Sequence, residues 1–206
     1  MKNVRSVMMM LLVLTSCQKD LELKSHPQAQ VAAAVETSEL SIQEFTEKAL
    51  SMASKDKVTA GERRLLVPML SGIALSTFES KKEQEYWIAL VGVESGYDQR
   101  VKSPVGATGL GQLMPQFYKD IALSCGIENL APDTINDRYI NALLSACYFK
   151  SLIQKSDGII SLALVAYNAG INSSSFQKAK NGGVPVTETA GYVTKVQISK
   201  EKTMKP

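Results

Sequence analysis

Apolar residues recur every three or four positions through most of the chain after residue 40, which is the periodicity of amphipathic helices. Ser41 and Glu44 form the capping-box pattern that marks a helix start. Strand signals are few, because the short Val and Ile runs over 184–198 lack regular alternation and follow a Gly-Gly pair. We therefore predict a mainly α fold, with helices over 41–53, 63–77, 86–93, 117–124 and 135–154 and an apolar helix ending at 167–170.

A different apolar run opens the chain. Val7–Leu14 follows a short basic segment and is far shorter than the roughly 20 residues of a membrane-spanning helix. It is typical of a signal-peptide core, and the following Leu14–Cys17 is similar to a bacterial lipobox. We expect residues 1–16 to be removed and Cys17 to be acylated, which anchors the chain to a membrane. An ordinary secretory peptide with a stray cysteine is the alternative. Gln18 favours the outer membrane, with the chain facing the periplasm of a bacterial cell envelope.

The remaining residues are predicted to form one domain behind a tether. Residues 17–40 are polar and Ala-rich, which is typical of a flexible linker. Residues 41–82 form a helical extension that we expect to pack on the main domain, with Pro68 kinking or breaking its second helix. Residues 83–200 make up the main domain, and the charged segment 201–206 is expected to fray.

Composition argues against several classes of function. Removal of Lys2 and Arg5 with the signal peptide takes the 23 basic side chains to 21, against 20 acidic ones. Such a nearly neutral chain, whose cations are scattered, lacks the basic stripe of a nucleic-acid-binding protein. The only histidine, His26, lies in the predicted tether, which argues against a histidine triad or a zinc site. We expect a monomer with no metal, no cofactor and no nucleic-acid partner.

One segment concentrates the candidate chemistry. The apolar helix over 86–93 runs directly into Glu94. A carboxylate at a helix C-terminus faces the negative end of the helix dipole, and the apolar residues before it partly desolvate it. Both effects raise the pKa of Glu94 toward the range of a general acid at neutral pH. An exposed Glu at an ordinary helix end is the alternative. The loop that follows has a constrained backbone, with Pro104, Gly106, Gly109, Gly111 and Pro115.

This segment resembles the first signature of the soluble lytic transglycosylase (SLT) domain, a lysozyme-like family that cleaves peptidoglycan. Val101 and Gly111 depart from the signature, where the family usually has Ala and Met. Later signatures are similar to Ala-Tyr-Asn-Ala-Gly at 166–170 and to Glu-Thr-x-x-Tyr-Val at 188–193. The resemblance covers about residues 83–200. The matching positions of the first signature are Glu94, Ser95, Tyr97, Ser103, Gly106, Ala107, Gly109, Leu110, Gln112, Met114 and Pro115.

The resemblance implies a lysozyme-like fold in which Glu94 is the catalytic residue. It implies that Tyr167 forms a hydrogen bond near Glu94 and holds the acid in position, while Asn168 helps to shape the cleft. Tyr192 is expected on the cleft wall beneath a sugar ring, and a core position under a C-terminal helix is the alternative. Ser103 and Gln112 are expected to bind the acetamido group and neighbouring groups of the sugar. The predicted substrate-binding residues are Ser103, Gln112, Met114, Tyr167, Asn168 and Tyr192.

The expected mechanism depends on the number of carboxylates. Ordinary glycosidases hold two of them about 5 Å or about 6.5–9.5 Å apart. Here Glu94 has one rival nearby, Asp98, which we interpret as a solvated cap. In the family one acid suffices, because the N-acetyl group of the MurNAc sugar stabilises the cationic centre. Glu94 protonates the leaving oxygen of the MurNAc–GlcNAc β-1,4 bond and then deprotonates the C6 hydroxyl, which gives 1,6-anhydro-MurNAc.

We therefore predict a membrane-anchored peptidoglycan lytic transglycosylase, whose partners are glycan strands and, through Cys17, a membrane. The alternatives are a non-catalytic peptidoglycan-binding protein on a lysozyme-like fold and a hydrolysing muramidase.

The region between the signatures contains two cysteines and a helix start. Cys125 and Cys147 form an even pair, which in an oxidising compartment is typical of a disulfide. Two buried free thiols are the alternative. The Asp-Pro-x-x-Asn-Ile pattern that opens the next helix in the family is matched only approximately by 132–136, and Asp133 or Thr134 is the expected cap.

Overall fold

Helices make up most of residues 40–205, the part of the chain that the computed structural model describes. This part contains no β-strand, and its two isolated β-bridges join Thr108 to Lys102 and to Leu113. None of its helices combines the length and the hydropathy that crossing a bilayer requires. The predicted mainly α fold is confirmed. The helices are α1 Ile42–Ser51, α2 Ala60–Thr77, α3 Lys81–Ser95, α4 Tyr118–Ser124, α5 Arg138–Lys155, α6 Ile160–Ala169, α7 Ser174–Lys180 and α8 Thr187–Met204.

Capping boxes begin α1, α2 and α3. In each, the cap hydroxyl accepts a hydrogen bond from the backbone N–H three residues on, and the Glu at that position accepts one from the backbone N–H of the cap. These bonds satisfy amides that a helix start leaves without partners. The box predicted at Ser41 is confirmed. The three pairs are Ser41 with Glu44, Thr59 with Glu62 and Ser80 with Glu83.

The start of α5 differs from the sequence prediction. α5 begins directly after Asp137, whose side chain accepts a hydrogen bond from the N–H of Ile140 at 2.9 Å. The expected caps, Asp133 and Thr134, are wrong because both lie in a separate 3-10 turn at Pro132–Asn136. A proline at the first position of a turn fixes a helical φ, so the sequence of this turn is similar to that of a helix start.

Pro68 does not break α2, which is continuous from Ala60 to Thr77. A proline inside a helix removes one backbone hydrogen bond. Val67 and Leu70, on either side of Pro68, are buried, so packing offsets that loss. α1 and α2 pack against α3, and α2 also packs against α5. The predicted packing of the extension 41–82 on the main domain is therefore confirmed.

α3 is a central helix of the hydrophobic core. Trp87, Ile88, Leu90 and Val91 are completely buried along it. α1, α2 and α8 surround α3, and α8 in turn packs against α6. The residue that follows this apolar stretch by three positions is Glu94, so the core holds the helix that positions the candidate acid.

The predicted fraying of 201–206 is wrong for the residues that the structure describes. α8 continues to Met204, and Thr203 is only 1% exposed. Lys200, just before this segment, forms an ion pair with Glu85 of α3. The side-chain amine of Lys48 in α1 donates a hydrogen bond to the backbone carbonyl of Lys205. Long-range partners order a segment whose own sequence has little apolar content.

A second apolar cluster and a disulfide hold α4 against α5. Cys125, directly after α4, is bridged to Cys147 in α5, and their Cα atoms are 5.9 Å apart. The sequence did not decide between a disulfide and two free thiols, and the structure contains the disulfide. Closing a loop of about 20 residues contributes on the order of 3 kcal/mol to the free energy of unfolding. The buried residues of the cluster are Leu113, Tyr118, Ile121, Ala122, Ile135 and Leu144.

Candidate active site

Glu94 is the next-to-last residue of α3, and its carboxyl group is half-buried. Gly96 ends the helix in a left-handed conformation with a φ of 63°. Burial raises the pKa of Glu94 to about 7, and a hydrogen bond from Tyr192 has the smaller, opposite effect. The Tyr192 hydroxyl donates this bond to Glu94 Oε1 at 2.7 Å. A carboxyl group with this pKa suits a residue that gives and takes a proton at neutral pH.

Tyr192, and not Tyr167, makes the hydrogen bond to Glu94. The Tyr167 hydroxyl donates to the carbonyl of Gly111 at 2.7 Å, so it holds the loop beside the acid and its predicted hold on Glu94 is not a direct hydrogen bond. Both tyrosines lie near the acid. Burial, followed by the charge of Glu94, raises the pKa of each hydroxyl well above its ordinary value. Both hydroxyls therefore remain protonated donors at neutral pH.

Ser103 and Gln112 brace the loop after Glu94. Ser103 Oγ accepts a hydrogen bond from the N–H of Ala107 at 3.0 Å. Gln112 Nε2 donates to the carbonyls of Val101 at 3.0 Å and Gly109 at 2.9 Å. Gln112 also has a φ of +48°, an uncommon backbone conformation for a residue other than glycine. The two side chains thus fix the loop's backbone, while their predicted contacts with a sugar stay a prediction.

Met114 and Asn168 lie at the surface of the protein. Met114 is partly exposed and precedes a 3-10 turn at Pro115–Phe117. Asn168 is exposed near the C-terminal end of α6. These positions leave both side chains open to a ligand, as their predicted roles require.

Gly111 lies at a position that has no room for a side chain. A Cβ atom on Gly111 would lie 2.2 Å from the Cβ of Ser145 in α5 and 3.2 Å from the Tyr167 hydroxyl. Ser145 itself accepts a hydrogen bond from the indole N–H of Trp87 at 3.1 Å. The departure from the family's usual Met is therefore matched by Ser145, which occupies the adjacent space.

Asn141 is a structural residue of the site that the sequence prediction missed. It is only 1% exposed, and its Oδ1 accepts a hydrogen bond from the N–H of Gly111 at 2.8 Å. Its Nδ2 donates to the carbonyls of Thr108 and Ile135, each at 2.9 Å. The sequence match had placed the family's Asn at Asn136, which is exposed. The sequence signal that could have found Asn141 is its helical spacing with the apolar residues Leu144 and Tyr148, because an amide on a buried helix face needs hydrogen-bond partners.

Asp98 caps the backbone N–H of Arg100 at 2.9 Å, as expected, but it is ion-paired and not freely solvated. Arg100 Nε lies 2.8 Å from Asp98 Oδ1, and Arg100 Nη2 lies 3.1 Å from Asp98 Oδ2. The side chain of Asp98 is only 14% exposed. The hydrogen bond from Arg100 lowers the pKa of Asp98, although burial opposes it. Asp98 is therefore held as an anion, in contrast to Glu94.

Residues 75–188, more than half of the chain, match the family described as the transglycosylase SLT domain. The chain belongs to this family. Among curated relatives of the SLT chain is the soluble lytic murein transglycosylase of Escherichia coli, 28% identical over 142 residues. The Salmonella typhimurium protein of the same name is 29% identical over 124 residues. These alignments cover 63% and 55% of the SLT chain. The SLT chain spans only 22% and 19% of the relatives' lengths.

Two solved structures share the fold of the SLT chain. One is an inactive Glu→Gln mutant of the lytic transglycosylase Slt from Pseudomonas aeruginosa, with a TM-score of 0.55 and 25% identity. The other is the 70 kDa soluble lytic transglycosylase Slt70 from Escherichia coli, with a TM-score of 0.54 and 22% identity. The matched regions cover 66% and 78% of the SLT chain. They cover only 23% and 28% of the chains in the two solved structures. The lysozyme-like, mainly α fold expected from the resemblance is confirmed.

Proposed function

We propose that the chain is a membrane-anchored peptidoglycan lytic transglycosylase that uses Glu94 first as an acid and then as a base. The observation that carries this proposal is a half-buried carboxyl group with a pKa of about 7 and a tyrosine hydroxyl 2.7 Å away. Membership of the SLT family supports the reaction class. The inactive Pseudomonas aeruginosa mutant, which has Gln in place of a Glu, supports the choice of a glutamate.

The first half of the proposed reaction is proton donation. Protonated Glu94 gives its proton to the oxygen that links MurNAc C1 to the next GlcNAc, and the C1–O bond breaks with its electron pair on that oxygen. The N-acetyl group of the MurNAc sugar stabilises the positive charge that develops at C1. The Tyr192 hydroxyl stabilises the Glu94 carboxylate that remains, because it donates a hydrogen bond to Oε1.

The second half returns the proton to Glu94. The carboxylate takes the proton of the MurNAc C6 hydroxyl, and the C6 oxygen forms a bond to C1, which closes the 1,6-anhydro ring. Cleavage therefore consumes no water. The ion pair of Asp98 with Arg100 supports a single-carboxylate mechanism, because it commits the rival acid nearest in sequence to a guanidinium group.

The cellular setting is part of the proposal. Acylated Cys17 anchors the chain, residues 18–40 act as a tether, and the domain faces peptidoglycan from the outer membrane on the periplasmic side. Cys17 lies outside the described residues, so the lipobox-like sequence supports this step. Growth with labelled palmitate should label the wild-type chain and leave Cys17→Ala unlabelled. Equal labelling of both would contradict the anchor.

The activity itself is tested with purified protein that lacks residues 1–16. Incubation with murein sacculi should release muropeptides with 1,6-anhydro ends, detected by mass spectrometry. Glu94→Gln should lower the rate by at least about 10³-fold, since the reaction loses its proton donor and acceptor. Asp98→Asn is the matched control and should keep most of the rate.

Three outcomes decide between the candidates. Products with reducing ends only would make the protein a hydrolysing muramidase. Sacculus binding without turnover would make it a binding protein. Full activity of Glu94→Gln would refute the assignment of the acid.

A further inference from the structure

α3 and α8 run antiparallel and are joined by side chains at two levels. At one level, the hydroxyl of Tyr192 in α8 donates a hydrogen bond to Glu94 near the end of α3. At the other level, Nζ of Lys200 in α8 lies 3.0 Å from Oε2 of Glu85 near the start of α3. The same two helices therefore carry the candidate acid with its tyrosine and a second, remote pair.

The two links span matching lengths along the helices. Glu85 precedes Glu94 by nine positions, and Tyr192 precedes Lys200 by eight. At 1.5 Å per residue these separations are about 13.5 Å and about 12 Å. A shift of one helical turn moves α8 by about 5.4 Å along α3, which separates the partners at both levels. The register that satisfies the Glu85–Lys200 pair is thus the register that places Tyr192 on Glu94.

The remote pair is buried, which makes its geometry specific. The side chains of Glu85 and Lys200 are only 6% and 13% exposed. Lys200 Nζ also lies 5.3 Å from the centroid of the Tyr86 ring. A buried ion pair adds little net stability over apolar residues, but leaving one partner without the other is strongly unfavourable. The best-attested use of such buried polar pairs is to select one register of packed helices.

We propose that the Glu85–Lys200 ion pair is a positioning device that fixes the register of α8 on α3 and so holds the Tyr192 hydroxyl on Glu94. Lys200 lies beyond residue 188, where the match to the family ends, and beyond the last signature at 188–193. The effect on cleavage rests on the proposed function. The effect on the ionisation of Glu94 does not, and it is therefore the primary measurement.

The primary measurement is the titration of the Glu94 carboxyl carbon by NMR in ¹³C-labelled protein, assigned with Glu94→Gln. The titratable side chains that face Glu94 are Tyr167 and Tyr192, and both hydroxyls stay protonated across neutral pH. The hydrogen bond from Tyr192 lowers the pKa of Glu94. Loss of that bond in Tyr192→Phe should therefore raise this pKa. Glu85→Gln and Lys200→Gln should raise it in the same direction.

The matched control is an exposed ion pair of the same chemistry. Lys150 Nζ lies 3.8 Å from Glu79 Oε1, with side chains 37% and 93% exposed. Lys150→Gln should leave the pKa of Glu94 at its wild-type value. Wild-type pKa values in Glu85→Gln and Lys200→Gln as well would overturn the proposal.

A double-mutant cycle separates positioning from general loosening of the fold. If Lys200 acts through Tyr192, then Lys200→Gln added to Tyr192→Phe should cause no further rise in the pKa of Glu94. A further rise of the same size would show that the pair does not act through the tyrosine. The double reversal Glu85→Lys with Lys200→Glu should restore the wild-type titration.

If the single variants fail to fold, a second variant still tests the proposal. Glu85→Gln combined with Lys200→Met replaces the pair with uncharged side chains of similar length, a change that folded proteins tolerate well. This variant should fold and show the raised pKa of Glu94. A wild-type pKa in the folded variant would overturn the proposal.

Cleavage of sacculi gives the second readout. The charge variants should show a kcat about tenfold lower with KM changed by less than about twofold, because the proposed role of the ion pair is to hold the Tyr192 hydroxyl on the acid. Absence of turnover in the wild-type protein would refute the proposed function alone. The titration would still decide the positioning role of the ion pair.

Discussion

Glu94 and Gly111 show how two single residues limit what the site tolerates. Glu94 is half-buried, and burial without a cation disfavours its charged form. Gly111 is surrounded by Ser145, Asn141 and Tyr167, so its backbone approaches α5 more closely than any side chain permits. One residue therefore sets the proton chemistry and the other sets the path of the loop beside it.

The stability of the protein should depend on pH through Glu94. The pKa of Glu94 in the folded protein, about 7, lies above its ordinary value of 4.5. Below pH 4.5 the acid is protonated in both the folded and unfolded states, so it contributes no cost. As pH rises from 4.5 to 7, the unfolded chain loses the proton that the folded protein keeps, so folding must take up a proton and stability falls. Glu94→Gln removes this cost and should be more stable than wild type by on the order of 3 kcal/mol at pH 8 and nearly equal at pH 4.

Urea unfolding at pH 4 and pH 8 measures this difference. Glu47→Gln, a change at an exposed glutamate, is the control and should track wild type at both values. Equal stability of Glu94→Gln and wild type at pH 8 would mean that the acid is not desolvated.

Gly111→Ala should destabilise the protein, because the new methyl group overlaps Ser145. Overpacking of this kind lowers the free energy of unfolding by about 1–3 kcal/mol. Ser145→Gly in the same chain should recover part of the loss, and the rest reflects the lost hydrogen bond to Trp87. Gly72→Ala, where a Cβ has nothing within 4 Å, is the control and should be neutral or stabilising. Urea unfolding measures both variants, and equal free energies of unfolding for Gly111→Ala and Gly72→Ala would contradict the prediction.

At the level of residues, the sequence was sufficient to predict properties that depend on adjacent residues in the chain. Glu94 follows an apolar run, and its raised pKa agrees with the expectation of desolvation. The sequence was not sufficient for the partner of Glu94. Tyr167 and Tyr192 both lie near the acid, and only the packing of α6 and α8 decides that Tyr192 makes the bond.

At the level of elements, a helix start could be predicted from the local sequence when the cap residue forms its hydrogen bonds with the first turn of the same helix. Ser41 with Glu44 is such a case. The start of α5 could not be predicted in this way, because a 3-10 turn at Pro132–Asn136 has a similar sequence to a helix start. The end of α8 could not be predicted from the local sequence either. Its order depends on Glu85 and on Lys48, which are more than 100 residues away in the chain.

The link between α4 and α5 should contribute measurably to stability. Replacing Cys125 and Cys147 together with Ser removes the bridge and relaxes a constraint on the unfolded chain. The free energy of unfolding should fall by on the order of 3 kcal/mol. Denaturant unfolding of the double variant, compared with oxidised wild-type protein, measures this loss, and reduced wild-type protein is the control that should match the variant. A midpoint equal to that of oxidised wild type would contradict the prediction.

At the level of the whole molecule, the folding unit is larger than the family match. The match begins at residue 75, yet α1 and α2 pack against α3 and contribute fully buried residues, including Phe45 and Leu70, to the same core. The resemblance alone placed these helices outside the catalytic domain, because their sequences contain none of its signatures. Burial shows that they are part of the structure that supports Glu94.

Removal of these two helices should therefore abolish folding. A chain that starts at Ser80 exposes the faces of α3 and α8 that α1 covers, and α2 no longer covers α3 and α5. We expect circular dichroism of this chain to show no cooperative thermal transition, whereas a chain that starts at Leu40 should unfold cooperatively. A cooperative transition in the shorter chain would show that residues 80–205 fold without the extension.

The near-neutral pKa of Glu94 has a consequence for the resting population of molecules. At pH 7 about half of them hold the Glu94 proton with which the proposed reaction begins, and the other half do not. Local acidification by one pH unit raises the protonated fraction to about nine-tenths, and a rise of one unit lowers it to about one-tenth. Because each cycle of the proposed reaction returns the proton to Glu94, the protonated fraction should follow the acidity of the surroundings and not the number of bonds already cut.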